Sequence, residues 1–338
     1  MTEPTPSVSR PGTAVAEQPQ PERRLHEHFV LVTGAAGFVG THVCRQLTER
    51  GARVRGLVRS PAKAAERLAR LPVELHVGDV RDDTVMQRAM QRCDTVVHLA
   101  AIAIERRGQT YADVNTGGTE RVLEAMRATG VRRLIHMSQN GAASSLPYRF
   151  LRSKGLAEDA VRASATDWTI LRPSVIFGPE DEFVNVLARL VRLSPLVYPV
   201  PGGGTARFQP IGVNDVAQVV AAAVAEGDTV RKTYALGGPA QLTLRQMVER
   251  VLVAMDAKRL LVPLPIALLR PVIALVQRVV PNPPVTTELL DLLKVDNVVA
   301  GNALHEAFGI VPTPFAPEEL VYLKAITARE ALRSLLGR

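Results

Sequence analysis

A glycine-rich loop directly after a short apolar run constrains this chain more than any other feature. The run Phe29–Thr33 predicts a buried strand, and the glycines fall where a helical pattern opens. One glycine permits a tight turn, a second lets the backbone approach a ligand closely, and a third lets helix and strand pack together. Backbone N–H groups at such a helix start bind a diphosphate. The residues expected to contact a dinucleotide here are Gly34, Ala36, Gly37, Phe38, Val39 and Gly40.

Short apolar runs alternate with helical patterns over the first half of the chain. The predicted strands are Phe29–Thr33, Arg53–Arg59, Val73–Val77, Thr95–Ala100, Arg132–Ser138 and Thr169–Arg172. The predicted helices are Phe38–Arg50, Pro61–Arg70, Thr84–Met90, Thr116–Thr129 and Ser153–Thr166. This alternation predicts an α/β fold, a Rossmann doubly wound parallel sheet. Ligands bind such sheets outside the carboxyl ends of the strands, so residues that follow strands are candidates for the site.

The composition changes along the chain and predicts its organisation. Residues 1–27 contain five prolines and no apolar periodicity, which indicates a disordered tail. Residues 28–176 are expected to form an NAD(P)-binding Rossmann domain, with 206–238 returning to its sheet. Residues 177–205 and 239–335 are expected to form a smaller C-terminal domain on the substrate side. Within the second half of the chain, Asn214 and Thr243 are the predicted N-caps of two helices.

Composition and charge indicate which classes of binding partner and which cellular location to expect. The net charge is +8, but basic residues do not cluster with aromatic ones, so a scattered basic surface and no nucleic-acid partner are expected. The seven histidines lack metal-ligand spacing, so no metal is expected. Cys44 and Cys93 lie in apolar surroundings typical of buried thiols. The tail lacks the apolar segment of a signal peptide, and no apolar run is long enough to span a bilayer, so a cytoplasmic location is expected.

Arg59 ends the second predicted strand and bears on the choice of cofactor. NAD enzymes usually have an acid near this point for the ribose 2′-hydroxyl, whereas an Arg accommodates a 2′-phosphate. Arg59 therefore favours NADP(H), and NAD(H) remains the alternative if Arg59 is merely an exposed residue at a strand end.

Residues after the third and fourth strands are further candidates for cofactor contact. Asp79 can accept a hydrogen bond from the adenine amino group, cap the next helix, or do both, and Val80 follows it. Ala100 and Ala101 are small enough to permit cofactor contact, although small residues also suit packing. Asn115 either fixes the backbone near the active site or caps a helix.

Together these motifs resemble the extended or atypical short-chain dehydrogenase/reductase superfamily. The residues that carry this resemblance are Thr33–Gly40, Gly78–Val80, Val97–Ala101, Asn115, Ser138 and Arg172–Ser174. Within that superfamily the chain is similar to the nucleotide-binding accessory subunit of respiratory complex I and its bacterial relatives. The residues that carry this second resemblance are Leu171–Asp181, Gln209–Ile211, Asn214–Ala217, Tyr234–Pro239 and Asp296–Val299. The resemblance also implies a cofactor contact at Pro173.

The superfamily implies a catalytic set that this chain matches only in part. A Tyr acts as general acid/base, a Lys four residues later lowers its pKa and holds the ribose, and a Ser or Thr after the fifth strand polarises the substrate oxygen. Lys154 and Ser138 match, but the position four residues before Lys154 is Phe150. Tyr148 lies six residues before Lys154, on another face of a regular helix. An irregular first turn after Pro147 is what would bring Tyr148 inward.

Three functions follow from this partial match. The first is an NAD(P)-binding protein of the complex I accessory-subunit type, with weak or absent hydride transfer because Phe150 replaces the Tyr. The second is an active reductase, epimerase or dehydratase that acts on a small-molecule substrate such as a quinone, isoprenoid or sugar nucleotide. The third is an NADP-responsive regulator that binds a protein partner.

The segment Leu260–Val280 is strongly apolar and is divided by prolines. Only 15 residues separate Pro265 from Pro281, too few to cross a bilayer. One interpretation is an amphipathic surface for a membrane or a membrane complex, at the inner face of the membrane, with Arg270 and Arg278 at the headgroups. The other, which the periodicity favours, is a core or oligomer-interface helix.

Overall fold

A seven-stranded parallel sheet forms the centre of the computed structural model, which describes residues 25–106, 108–280, 283 and 285–335. Strands alternate with helices in the first half of the chain. The strands are β1 (Phe29–Thr33), β2 (Arg53–Val58), β3 (Val73–Val77), β4 (Thr95–His98), β5 (Arg133–Met137) and β6 (Asp167–Pro173). The helices are α1 (Phe38–Glu49), α2 (Pro61–Leu68), α3 (Asp83–Met90), α4 (Gly117–Thr129) and α5 (Arg149–Ala163).

The second half adds short strands, helices and one further strand of the central sheet. The strands are β7 (Ile176–Phe177), β8 (Val197–Pro201), β9 (Arg207–Phe208), β10 (Ile211–Gly212), β11 (Lys232–Leu236), β12 (Leu242–Thr243) and β13 (Leu260–Leu264). The helices are α6 (Val184–Leu193), α7 (Val213–Ala225), α8 (Leu244–Ala254), α9 (Ile266–Val279), α10 (Thr287–Leu292), α11 (Ala303–Phe308) and α12 (Ala328–Leu335). The central sheet runs β3-β2-β1-β4-β5-β6-β11, with all pairs parallel. The expected Rossmann-type doubly wound sheet is confirmed.

Helices cover both faces of this sheet, which explains why its central strands are apolar throughout. Every residue of β1 and β4 is buried, as is typical of parallel strands that are shielded on two sides. Helices α1 and α7 pack on one face, and α3, α4 and α5 on the other. A further apolar core lies between α6, α8 and the 3₁₀ helix Pro317–Ala325.

Both cysteines are free and buried, as the sequence predicts. Cys44 lies in α1 and Cys93 directly before β4. Burial raises the pKa of Cys44 to about 12 and the pKa of Cys93 to about 11. Because only the thiolate is nucleophilic, neither side chain is suited to covalent catalysis at neutral pH.

Some expectations about element boundaries were wrong. Leu25 is buried in a short 3₁₀ helix that reaches Glu27, so the end of the expected tail is ordered; residues 1–24 lie outside the described residues. Strand β4 ends at His98 rather than at Ala100. Asn214 does not cap α7, because the helix follows Gly212 and Asn214 Oδ1 lies 2.8 Å from a ring nitrogen of His42. The predicted cap Thr243 is confirmed.

The apolar segment Leu260–Val280 is not a core helix. Its first part is β13, which pairs with β8, and its second part is α9. No side chain of α9 is fully buried, so the expectation of a core helix was wrong, while its alternative, an oligomer-interface helix, stays a prediction. Within the described ranges, no helix combines the length and apolarity that crossing a bilayer requires.

Candidate functional site

The glycine loop has the geometry that dinucleotide binding requires. Gly34 has a φ of +71°, and a Cβ at this position would lie 3.1 Å from the backbone nitrogen of Ala100. The Gly37 N–H donates to the Gly34 carbonyl over 2.8 Å, which closes the turn. A Cβ on Gly40 would lie 2.1 Å from the Gly34 oxygen and 2.8 Å from the Ala35 oxygen. Each glycine therefore serves a separate backbone requirement of the turn.

The start of α1 fits a diphosphate. No side chain caps this helix among the described residues, and its first turn contains no acidic residue. The N–H groups of that turn lack intrahelical partners, and the helix dipole favours an anion there. Of the other expected loop contacts, Ala36 is buried, whereas Phe38 and Val39 are half-buried at the helix start.

Arg59 is exposed immediately after β2, as expected for a residue at the adenosine end of the site. The next residue, Ser60, caps α2 by accepting a hydrogen bond from the Lys63 N–H over 3.3 Å. The Ser60 oxygen accepts this hydrogen bond, so its own O–H can still donate, and Arg59 supplies the positive charge of this turn. No carboxylate pairs with Arg59 among the described residues.

Asp79 is held by a neighbouring arginine. The Arg81 Nε donates to one Asp79 oxygen over 3.0 Å, and the Arg81 Nη2 donates to the other over 2.9 Å. Hydrogen bonding to Arg81 lowers the pKa of Asp79. The expected capping role of Asp79 was wrong, because Asp82 caps α3 through the Val85 N–H. The buried Val80 follows Asp79 in the chain.

Thr33 and His98 fix the turn after β4. These residues are register partners on adjacent strands, and the Thr33 Oγ1 lies 2.8 Å from the His98 Nδ1. The same hydroxyl accepts the N–H groups of Leu99 and Ala100, each over 3.2 Å. Burial, with a smaller contribution from Lys154, lowers the pKa of His98 to about 3, so the ring is neutral.

This pair holds Ala100 half-buried, with Ala101 exposed beyond it. The sequence indicates Thr33 and His98 only through the superfamily resemblance and does not predict their contact. The available signal was a polar residue at the carboxyl end of each of two otherwise apolar strands.

Asn115 connects three parts of the site. It lies in a single π-helical turn, Ala112–Thr116, directly before α4. Its Oδ1 accepts the Ile102 N–H over 2.8 Å, and its Nδ2 lies 3.1 Å from the Ile102 oxygen and 3.0 Å from the Ser153 Oγ. The side chain thus fixes the loop after β4 against α5. The alternative, helix capping, was wrong.

Lys154 is buried in α5 and held by the end of β5. Its Nζ donates to the Met137 carbonyl over 2.6 Å, and the side chain is 5% exposed. Burial lowers its pKa to about 8, while the Glu158 carboxylate one turn later opposes that shift. Glu158 is itself fully buried and paired with Arg162 and Arg172.

Ser138 follows β5 and has an unused hydroxyl. Its backbone N–H donates to the Leu171 carbonyl over 2.8 Å, but its buried Oγ has no hydrogen-bond partner among the described residues. A buried hydroxyl without a protein partner can accept or donate to a ligand oxygen. Pro173 ends β6, and its carbonyl accepts the Asn140 N–H over 2.9 Å.

Helix α5 contains no tyrosine that could share a face with Lys154. Phe150 is half-buried in the first turn of α5, and its ring lies edge-on against Tyr111, with the centroids 5.7 Å apart. Tyr148 precedes the helix and is half-buried. Tyr148 has an extended backbone, with φ of −78° and ψ of 110°, so helical spacing does not place its side chain, and its role stays a prediction.

An ion-pair cluster that the sequence did not predict lies beside Phe150. Arg149 bridges Glu105, at 2.7 Å, and Glu288, at 2.9 Å. The Tyr111 hydroxyl donates toward the Ala103 carbonyl at 2.9 Å and lies 3.2 Å from a Glu288 oxygen. The cluster therefore joins the loop after β4, the start of α5 and α10. Its charged members are widely separated in sequence, so no local pattern indicates it.

Similarity to known proteins agrees with this geometry. A family model, the NAD dependent epimerase/dehydratase family, matches residues 30–237. NADH dehydrogenase (ubiquinone) 1 alpha subcomplex subunit 9 of Arabidopsis thaliana is 32% identical over 290 residues, 81% of this chain and 71% of that protein. Ceramide reductase of Caulobacter vibrioides is 35% identical over 189 residues, 56% of this chain and 58% of that protein.

A solved structure shares the fold. The UDP-glucose 4-epimerase of Thermus thermophilus, in complex with NAD, superposes with a TM-score of 0.65 at 22% identity, covering 90% of this chain and 99% of that one. The family match spans β1 to β11 and includes the glycine loop, Ser138 and Lys154. The chain therefore belongs to the NAD dependent epimerase/dehydratase family.

Proposed function

We propose that this protein holds NADP(H) and transfers hydride slowly or not at all, in a structural or sensing role like that of an accessory subunit. The observation that carries the proposal is Phe150, which occupies the position four residues before Lys154. A phenylalanine ring has no proton to give. General acid–base catalysis contributes about 10²–10⁴-fold to such reactions, so its loss leaves a cofactor site with little turnover.

The remaining residues favour cofactor retention. A bound nicotinamide dinucleotide would supply or accept the hydride. The loop glycines and the start of α1 would hold its diphosphate, and Lys154 would hold its ribose. Ser138 would bind an oxygen of the nicotinamide or of a second ligand with its hydroxyl, which no described residue pairs. Asn115 acts indirectly, because it fixes the loop after β4.

Preference for the phosphorylated cofactor rests on Arg59. The residue is exposed at the end of β2, where no acid is available to bind a ribose 2′-hydroxyl. Its guanidinium can bind a 2′-phosphate through two parallel hydrogen bonds. Arg81, which like Arg59 acts electrostatically on Asp79, adds positive charge, although its pairing with Asp79 reduces that contribution.

The proposed setting is the cytoplasm, at the inner face of a membrane and in contact with a membrane complex. The Arabidopsis relative is named as a subunit of NADH dehydrogenase, which supports a role within an assembly. The exposed apolar helix α9 supports the membrane location.

A second candidate function is an active NADP-dependent reductase. Lys154 and Ser138 support it, and the similarity to the ceramide reductase of Caulobacter vibrioides supports an apolar substrate. Phe150 opposes it. A third candidate, an NADP-responsive regulator, would show NADP-dependent capture of a protein partner without turnover.

Steady-state oxidation of NADPH with quinones, aldehydes and sugar nucleotides separates these candidates. We expect turnover no higher than that of the Lys154→Met variant. We also expect a nicotinamide dinucleotide to copurify with the protein, as identified by mass spectrometry. Brisk turnover that survives Tyr148→Phe would contradict the proposal and indicate another proton donor. Brisk turnover abolished by Tyr148→Phe would contradict it too, and would identify Tyr148 as that donor.

A further inference from the structure

Helix α9 carries a stripe of exposed apolar side chains. Leu268, Val272, Leu275 and Val279 are 63%, 58%, 64% and 73% exposed, respectively. Their spacing of three to four residues places them within an arc of about 60° on the helix surface. Contiguous apolar surface of this kind is unusual on a soluble monomer and indicates an interaction site.

An adjacent side of α9 attaches the helix to the protein. Leu269, Ile273 and Val276 are half-buried there. Helix α9 packs against α10, and Arg270 pairs with Asp291 of that helix over 2.7 Å. The helix is therefore held in place with its apolar stripe facing outward.

The sequence segment that carries this stripe contains no acidic residue, although Asp291 of α10 pairs with Arg270. Between Ala257 and Thr287 the sequence contains four basic residues and no acidic one. The basic residues are Lys258, Arg259, Arg270 and Arg278. A segment that combines an exposed apolar face with net positive charge is complementary to an anionic lipid surface.

We propose that α9 is an interfacial helix that binds the surface of membranes containing anionic phospholipids. Its 14 residues are too few to cross a bilayer, which takes about 20. They can instead bury the stripe at the headgroup boundary while the basic side chains contact lipid phosphates. This inference rests on the membrane location in the proposed function, and it adds that the surface bound is one of anionic phospholipid.

The same charge argues against a second copy of the chain as the occupant. A twofold interface centred on α9 places each basic segment against its own copy. Asp291 compensates Arg270, but Arg278 has no carboxylate partner among the described residues, so its charge then faces the same charge on the other copy. Anionic headgroups supply the missing charge.

The test is flotation of the full-length protein with phosphatidylcholine vesicles, with or without phosphatidylglycerol. We expect binding to the anionic vesicles only, reduced at least about tenfold by Leu268→Gln/Leu275→Gln. The control is Val253→Gln/Val311→Gln, which changes two side chains that are 63% and 80% exposed outside α9. Arg278→Gln is expected to weaken binding to anionic vesicles less than the double substitution does.

Three results overturn the inference. They are no flotation of the wild type, equal loss of flotation in the control variant, and a dimer that dissociates on Leu268→Gln/Leu275→Gln. Calorimetric titration of NADPH into the same preparations distinguishes failure of the membrane inference from failure of the proposed cofactor binding. A wild type that binds NADPH but does not float refutes the membrane surface alone, whereas one that floats without binding NADPH refutes the cofactor proposal alone.

Discussion

The ring of Phe150 packs edge-on against the ring of Tyr111, with the centroids 5.7 Å apart. The Tyr111 hydroxyl is engaged by the Ala103 carbonyl and the Glu288 carboxylate. Burial, followed by the charge of Glu288, raises the pKa of Tyr111, so this phenol stays protonated. Neither ring therefore supplies the ionisable phenol that the superfamily places one turn before the lysine.

Phe150→Tyr should restore a proton donor on the face of α5 that carries Lys154. We expect NADPH oxidation with quinones or aldehydes to rise by about 10²-fold or more, because a positioned acid contributes on that scale. Phe150→Leu is the matched control and should stay at the wild-type level. No gain in Phe150→Tyr, with NADPH affinity retained, would contradict the role given to this position.

Gly40→Ala should damage the cofactor site severely, because the added methyl would lie 2.1 Å from the Gly34 oxygen. We expect a loss of about 1–3 kcal/mol in unfolding free energy, as for other overpacked sites, and at least about tenfold weaker NADPH binding. Urea denaturation and calorimetry measure the two effects. Gly227→Ala is the control, since its Cβ meets nothing within 4 Å. Unchanged affinity in Gly40→Ala would argue against the loop as the diphosphate site.

Lys154→Met should stabilise the protein at neutral pH while weakening cofactor binding. Burial lowers the pKa of Lys154 from 10.5 to about 8. Below about pH 8 the amine is charged in both the folded and unfolded states, so the full burial penalty is present. Between the two values the unfolded state binds more protons, so wild-type stability rises with pH.

We therefore expect the variant to exceed the wild type by about 1–3 kcal/mol near pH 7, after the lost hydrogen bond to Met137 is deducted. The difference should shrink towards pH 10.5. Urea denaturation at both pH values measures it. A variant that is less stable at neutral pH, or a difference that does not change with pH, would refute the buried-cation interpretation.

Arg59→Ala should reduce the affinity for NADPH more than the affinity for NADH. Loss of a charge-assisted bidentate contact to a 2′-phosphate is expected to weaken NADPH binding about tenfold or more. Arg70→Ala removes an exposed arginine at the other end of α2 and should change neither affinity. Equal losses for both nucleotides would remove the basis for NADP preference.

The sequence was sufficient for the sheet and the glycine loop because both depend on local patterns. Strands that are buried on two faces appear as continuous apolar runs, and the turn after β1 requires glycine at defined positions. The superfamily resemblance implied a role for Lys154, and its four-residue spacing identified Phe150 as the departure from the expected tyrosine. These features are encoded within a few residues of one another.

The rest depends on tertiary contacts. Arg149 meets Glu105 and Glu288 only because the loop after β4, α5 and α10 converge. Asp79 looked like a helix cap, but Arg81 holds its carboxylate and Asp82 caps α3. Helix α9 has the periodicity of a core helix, and only its position shows that nothing within the described residues covers its apolar stripe.

Isothermal titration of NADPH, NADP⁺, NADH and NAD⁺ into the intact folded protein tests the central claim most directly. The account predicts saturable binding of one nucleotide per chain, tighter for the phosphorylated pair, and a large loss of affinity in Gly40→Ala but not in Gly227→Ala. A folded protein that binds none of the four nucleotides would contradict it.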